Sequence, residues 1–334
     1  MHSSVDHTHL PALLRPNSWL AHTWLAAKHF KSTPSNSPYV GRFAPSPSGW
    51  LHQGSLIAAL ASYIHARWHD GVWLVRMEDV DQSRCTVAYG EAQLAILREL
   101  GFEFDANVMW QSQRHAAYQA AIEMLHTHQL VYPCTCTRRE IVDSRTRMDT
   151  NNPQTMAYTG TCRMGVTANK PIRSWRFRVP DEPLIWQDEN NITHTEKLEY
   201  SVGDFILKRA GAPTKGGHKN PQEDGDWAYQ LAVVVDDATQ GVTHIVRGED
   251  LLDSTARQIA LQRALSVPTP HYNHIPLLLS PNGDKLSKRD QAPALEALHG
   301  LEALQHAWHF LGGQPIEVNH IHGFWHAILE RTPK

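Results

Sequence analysis

A histidine set between two glycines, two lysines on a short loop and three clustered cysteines are the residues whose types and spacing could do chemistry in this chain. The histidine, His52, lies in RFAPSPSGWLHQGS (42–55). There Pro45 and Pro47 fix φ and hold the chain extended, while Gly49 and Gly54 let it turn tightly and approach a ligand closely. Amides without helical partners at the start of the following helix, joined by an imidazole N–H, suit a phosphate. The plainer alternative is a rigid turn with a surface histidine. Lys285 and Lys288, with Arg289, lie in SPNGDKLSKRD after the apolar run HYNHIPLLL. Two lysines on a glycine-containing loop offer mobile positive charge to a polyphosphate, although such a loop read alone is solvated surface. Cys134, Cys136 and Cys162, in YPCTCTRREI and MAYTGTC, offer thiolates for one tetrahedral Zn²⁺ at about 2.3 Å. No histidine occurs between Val131 and Lys170, so a fourth ligand is left to Tyr158, an acidic side chain or water. Three buried free thiols are the alternative.

The elements around these residues must position them. YVGRFA, from Tyr39, reads as a strand, GSLIAALASYIHARWHD as a helix and GVWLVRMED as a second strand. A strand–helix–parallel strand unit places the 42–55 loop at the carboxyl end of the first strand, where open α/β sheets bind ligands. Residues 1–38 are rich in His, Ser and Pro and end in KSTPSNSP, which predicts a flexible extension rather than a secretory signal or an organellar transit peptide. The polar stretch APTKGGHKNPQED (212–224) reads as an inserted surface loop.

A chain of 334 residues is long for one core and predicts a main domain with an insertion or a second domain. At 41% hydrophobic and 19% charged residues it has the composition of an ordinary globular protein. Its net charge of -3 means that any nucleic-acid partner is held by a local basic patch, not by bulk charge. No apolar run of about 18 residues predicts a membrane span. The fourth cysteine is Cys85, and clustering of the other three fits metal binding in a reducing cytoplasm better than a disulfide framework.

Taken together, PSPSGWLHQGS resembles the HIGH-type signature of class I aminoacyl-tRNA synthetases and KLSKR resembles their KMSKS loop. GRFAPSPSG, VRMEDVDQSR, YQLAVVVDDATQGVTHIVRGEDLLDSTARQ and KLSKRD resemble the glutamyl-tRNA synthetase branch, in order, from about Gly41 to about Asp290. Ser55 at the end of the first signature and the KLSKR wording are variations that this branch accommodates. Only residues 291–334 follow, too little chain for the helical anticodon-binding region of full-length members. The resemblance is therefore to the shortened members, which attach glutamate to the queuosine base of tRNA(Asp).

That resemblance implies an α/β fold: a Rossmann-type parallel-sheet catalytic core with a zinc-bearing insertion and a short helical C-terminal region. The implied division is 39–130 and 197–276 for the two halves of the core, 131–196 for the zinc-binding, acceptor-binding insertion, and 277–334 for the KMSKS-like loop and terminal helices. It implies catalytic roles for His52, Lys288 and Lys285, and an ATP site at His52, Gly54, Ser55 and Lys288. It implies a glutamate site at Arg42, Phe43, Ala44, Pro45, Ser46, Glu78, Tyr229 and Arg247, and Tyr158 as the fourth ligand of a structural Zn²⁺. The charges suit the substrate: two carboxylates want guanidinium groups, and an ammonium wants a carboxylate. Read singly, Glu78 could pair with Arg76 or Arg84, and Tyr229 could be a core aromatic. The implied partners are ATP with Mg²⁺, L-glutamate and queuosine-bearing tRNA(Asp), served by a monomer. The implied reaction is in-line attack of the α-carboxylate on the α-phosphorus without tRNA, then attack of a queuosine hydroxyl on the adenylate. Two alternatives stay open: a shortened synthetase charging a 3′ end, and a non-catalytic nucleotide- or RNA-binding protein.

Overall fold

The structure, a computed structural model, describes residues 11–12, 14–15, 18–32, 38–148, 157–166, 169–210, 225–278, 295 and 300–330. Strands β1 (Val40–Phe43), β2 (Val72–Met77) and β3 (Met109–Trp110), with β9 (His244–Gly248) and β10 (His271–Ile275) from farther along the chain, form one sheet in the order β10-β9-β1-β2-β3. Every pairing in it is parallel. A parallel sheet is covered on both faces, and so its strands are buried along most of their length; β2 reads VWLVRM and is buried from its second residue onward, Arg76 included. Successive side chains of a strand point to opposite faces, and accordingly Ile245 and Val246 enter two different cores.

The first core surrounds α2 (Gln53–Trp68), the crossover between β1 and β2, which is buried almost all round from Leu56 to Trp68. It is covered by α1 (Trp19–Ser32), α9 (Gly300–Phe310) and α10 (Ile321–Leu329), while α3 (Val87–Glu99) contributes Leu94 and Leu97. Buried indoles here find acceptors, as tryptophans require: Trp325 Nε1 donates to Leu100 O at 2.8 Å, Trp68 Nε1 to Ile328 O at 3.2 Å and Trp73 Nε1 to Ser62 Oγ at 3.0 Å. Helix α1 departs from the flexible extension expected for 1–38. Leu20, Trp24 and Ala27 recur at helical spacing and are buried in contact with the first core, and Trp19 Nε1 donates to Asn273 Oδ1 at 2.9 Å.

The second core lies between α4 (His115–Thr127), α7 (Tyr229–Thr239) and α8 (Leu252–Ala264) and a small antiparallel sheet. That sheet joins β4 (Val131–Cys134), β5 (Ser174–Phe177) and β8 (Phe205–Arg209); α5 (Arg138–Met148) lies between β4 and β5 in the chain, and the hairpin β6 (Leu184–Gln187) and β7 (Thr193–Glu196) and the single turn α6 (Leu198–Ser201) lie between β5 and β8. β8 lies beyond residue 196 yet pairs with β5, so the small sheet draws on chain that the sequence reading gave to the second half of the core. The 212–224 loop and the segment carrying Lys285 and Lys288 lie outside the described residues. Among the described residues no helix is long and apolar enough to cross a membrane.

Candidate active site

β1, β2 and β9 end at one edge of the parallel sheet, above a cavity of about 880 Å³. Its walls include Arg42, Phe43, Ala44, Pro45, Ser46, His52, Gly54, Ser55, Glu78, Tyr229 and Arg247. The structure thus brings together every sequence-predicted glutamate and nucleotide residue that it describes. Pro276, Leu277 and Leu278, which precede the Lys285 and Lys288 segment, line the same space.

The 42–55 loop is held by its own carbonyls. Pro45 O accepts from the Glu78 N–H at 2.9 Å, Pro47 O from the Thr86 N–H at 3.0 Å, and Gly49 O from Gln93 Nε2 at 2.7 Å. His52 is the N-cap of α2: its Nδ1 accepts from the Ser55 N–H at 3.3 Å, and its Nε2 lies 3.1 Å from Ser55 Oγ. A Cβ on Gly54 would lie 3.3 Å from that imidazole, so the glycine seats the capping ring. The positive end of the α2 dipole therefore borders the cavity beside a fixed histidine.

Charge is arranged around one carboxylate. Asp237 Oδ1 accepts from Arg42 Nε at 3.2 Å and from Arg76 Nη2 at 2.8 Å; Arg76 Nη2 also reaches Glu78 Oε1 at 3.2 Å. Burial opposes ionisation of Asp237, but Arg76 and Arg42 outweigh it and hold the carboxyl below its ordinary range. Glu78 is pushed the other way: burial raises it against the pull of Arg76 and Arg42. Glu78 therefore has the Arg76 partner that the plainer reading allowed and still faces the cavity, while Arg84 pairs with Asp81 at 2.6 Å. Arg247 is oriented by Gln258 Oε1 at 2.7 Å and Thr255 Oγ1 at 2.8 Å, with its guanidinium 5.0 Å from the Tyr272 ring centre. His274, pushed down to about 3 by burial and by Arg247, is a neutral imidazole beside it. Burial and the charge of Glu78 push the Tyr229 phenol up, against Arg247 and Arg42, so all four groups sense one another.

Sequence reasoning missed Asp237, Thr255 and Gln258. The one available signal was the acidic pair inside AVVVDDA, where adjacent acids in an apolar helix require inward partners. Both are buried: Asp236 accepts from Tyr118 Oη at 2.5 Å and from Arg114 Nε at 3.0 Å.

The cysteines converge at the end of β4. Cys136 Sγ lies 3.5 Å from Cys162 Sγ, and Tyr158 Oη lies 3.5 Å from both Cys134 Sγ and Cys136 Sγ. Four ligands on a tetrahedral Zn²⁺ are separated by about 3.5–3.8 Å, so the donor set fits that ion. Burial opposes ionisation of Cys162, yet the Thr135 amide and Tyr158 hydroxyl hold it down to about 7, while burial is the largest cause pushing Cys136 up to about 12. A bound cation would deprotonate all three thiols. Tyr158 is fixed by the Arg176 guanidinium 3.9 Å from its ring centre and by a bridge to Gly203, where a Cβ would come within 2.2 Å of Tyr158 O. Gly203 has φ of 68°, a conformation suited to glycine. Tyr158 also lines the large cavity, so the thiol module forms part of its wall.

Residues 39–308 match the family described as tRNA synthetases class I (E and Q), catalytic domain. The chain is 52% identical over 280 residues to a glutamyl-Q tRNA(Asp) synthetase of Burkholderia cenocepacia (strain HI2424), covering 83% of this chain and 89% of the relative. It is 50% identical over 296 residues to a protein of the same name from Janthinobacterium sp. (strain Marseille), covering 87% and 95%. Among solved structures, the glutamate-tRNA synthetase of Elizabethkingia anophelis superposes with a TM-score of 0.64 at 25% identity, over 76% of this chain. The chain spans about half of that longer synthetase, 53% of it.

Proposed function

Because the chain belongs to the glutamyl-Q tRNA(Asp) synthetases, ligases within the class I synthetase family for glutamate and glutamine, we propose that it activates L-glutamate with ATP and without tRNA, then transfers the glutamyl group to the queuosine base of tRNA(Asp) in the cytoplasm. The observation that carries this reading is that two arginines, a carboxylate, a tyrosine and a histidine-capped helix start border one cavity.

Arg42 spends its Nε on Asp237, leaving its terminal nitrogens for a ligand; Arg247 spends one N–H of each terminal nitrogen on Gln258 and Thr255 and keeps the others. The bidentate grip belongs on the side-chain carboxylate of glutamate, because the α-carboxylate must keep an oxygen for attack. Glu78 receives the ammonium and Tyr229 closes the wall, with Phe43, Ala44, Pro45 and Ser46 beneath. An α-carboxylate oxygen then bonds to the α-phosphorus as the bond to pyrophosphate breaks. His52, the amide of Gly54 and the hydroxyl of Ser55 at the start of α2 hold the phosphates, and Lys288 supported by Lys285 stabilises the departing pyrophosphate. Mg²⁺ supplies positive charge to the ATP phosphates; no side chain is assigned to it. Attack of a queuosine hydroxyl on the adenylate carbonyl forms the ester and releases AMP. Cys134, Cys136, Cys162 and Tyr158 hold a structural Zn²⁺.

The test is labelled-glutamate transfer to tRNA(Asp) prepared with and without queuosine. Label is expected only on queuosine-containing tRNA, and after nuclease digestion on the anticodon-loop fragment rather than on the 3′-terminal adenosine. Label on the 3′ terminus would make the chain a shortened charging enzyme, and no label on either would remove the transfer step.

A further inference from the structure

The edge of the parallel sheet opposite the cavity carries a second set of metal-type donors. β9 and β10 begin with His244 and His271, which are partners in register, so adjacent strands set two imidazoles side by side with ring centres 4.8 Å apart. The turn between β6 and β7 brings in Glu189, anchored by its N–H to Tyr272 O at 2.9 Å. One donor atom from each of Glu189, His244 and His271 lies within 4.8 Å of the other two.

The surroundings aim Glu189 and His244 at each other. Glu189 Oε2 is held by His65 Nε2 at 2.8 Å and by Asn273 Nδ2 at 2.9 Å, which turns Oε1 toward His244 Nε2. That gap is 3.7 Å, longer than a hydrogen bond and close to the separation of about 3.4 Å between two ligands of one tetrahedral ion. His244 Nδ1 meets Thr243 Oγ1 at 2.8 Å; with Nδ1–H donating there, Nε2 directs its lone pair toward Glu189. His271 is exposed, so it can rotate a nitrogen into line and the site opens to solvent.

We propose that Glu189, His244 and His271 form a second metal site, for a borderline divalent ion of the Zn²⁺ type, with water completing the coordination. Two imidazoles and a carboxylate suit that class. None of the three lines the large cavity, so the ion acts as a clamp between the β6–β7 turn and the amino ends of β9 and β10, independently of the activation chemistry.

The test is a Co²⁺ titration of the full chain, in which thiolate-to-cobalt charge-transfer absorption counts metal at the cysteines and equilibrium dialysis counts the total. One equivalent beyond the thiolate-bound metal is expected, accompanied by a rise in melting temperature. His271→Ala, at an exposed position, should fold with an unchanged metal-free melting temperature and lose both that equivalent and the rise; Glu189→Gln should lose the equivalent too. His322→Ala, on the histidine-bearing α10, should keep it. No equivalent beyond the thiolates, or an extra equivalent retained by both His271→Ala and Glu189→Gln, would overturn the proposal.

Discussion

Asp237 holds two guanidinium groups on one oxygen in a buried position, and removing its charge leaves Arg42 without this partner and Arg76 with Glu78 alone at 3.2 Å. Asp237→Asn should cost roughly 3–5 kcal/mol of stability. It should also raise KM for glutamate as Arg42 loses its anchor; chemical denaturation and exchange kinetics check the two effects. The pH dependences of the two carboxylates have opposite signs. Asp237, lowered from 3.8, contributes stability above that value and loses it as pH falls through its folded pKa. Glu78, raised from 4.5, has a charged form that costs stability as pH rises through its folded pKa, and it takes up a proton sooner on acidification. KM for glutamate should therefore climb while pH is still above 4.5, and Glu78→Gln should abolish the climb. A KM constant from about pH 7 down to 4.5 would remove Glu78 as the ammonium partner. Arg42, Glu78 and Arg247 were legible in the sequence through the family motifs in which they stand, GRFAPSPSG, VRMEDVDQSR and THIVRG. Asp237 was not: its partner Arg42 is 195 residues away, and an acid in a helix reads as a solvated face.

Helix α2 depends on an imidazole for its first turn, so capping and phosphate binding reside in one side chain. His52→Ala should lose about 1 kcal/mol of stability and most of the pyrophosphate exchange. Asn is a good N-cap, so His52→Asn should recover the stability but not the exchange; recovery of both would reduce His52 to a structural cap. The β1–α2–β2 unit was readable because its apolar runs are continuous and its loop chemistry is unusual. The partner of β8 was not, since a short strand's pattern carries no record of what it pairs with. α1 carried an amphipathic pattern of its own, but the surrounding His-, Ser- and Pro-rich sequence masked the buried face of Leu20, Trp24 and Ala27.

Across the molecule, a thiol module and a parallel-sheet core share the wall of one cavity through Tyr158. Stripping metal from Cys134, Cys136 and Cys162 should loosen the 131–165 segment, seen as faster amide exchange, and impair tRNA transfer. Replacing all three cysteines with retention of full transfer would count against a metal there. The cysteine spacing announced this module; its contact with the cavity was not readable, because Tyr158 is placed by partners distant in the chain, Arg176 and Gly203. On this reading the cavity at the ends of β1, β2 and β9 takes glutamate and ATP together. The most direct measurement is glutamate-dependent exchange of labelled pyrophosphate into ATP with no tRNA present, on the native chain and on Arg247→Leu. Robust exchange is expected with glutamate, little with aspartate or glutamine, and at least about a hundredfold less in the variant, a change of roughly 2.7 kcal/mol. Absence of exchange by the native chain, or exchange that Arg247→Leu leaves intact, would contradict that reading.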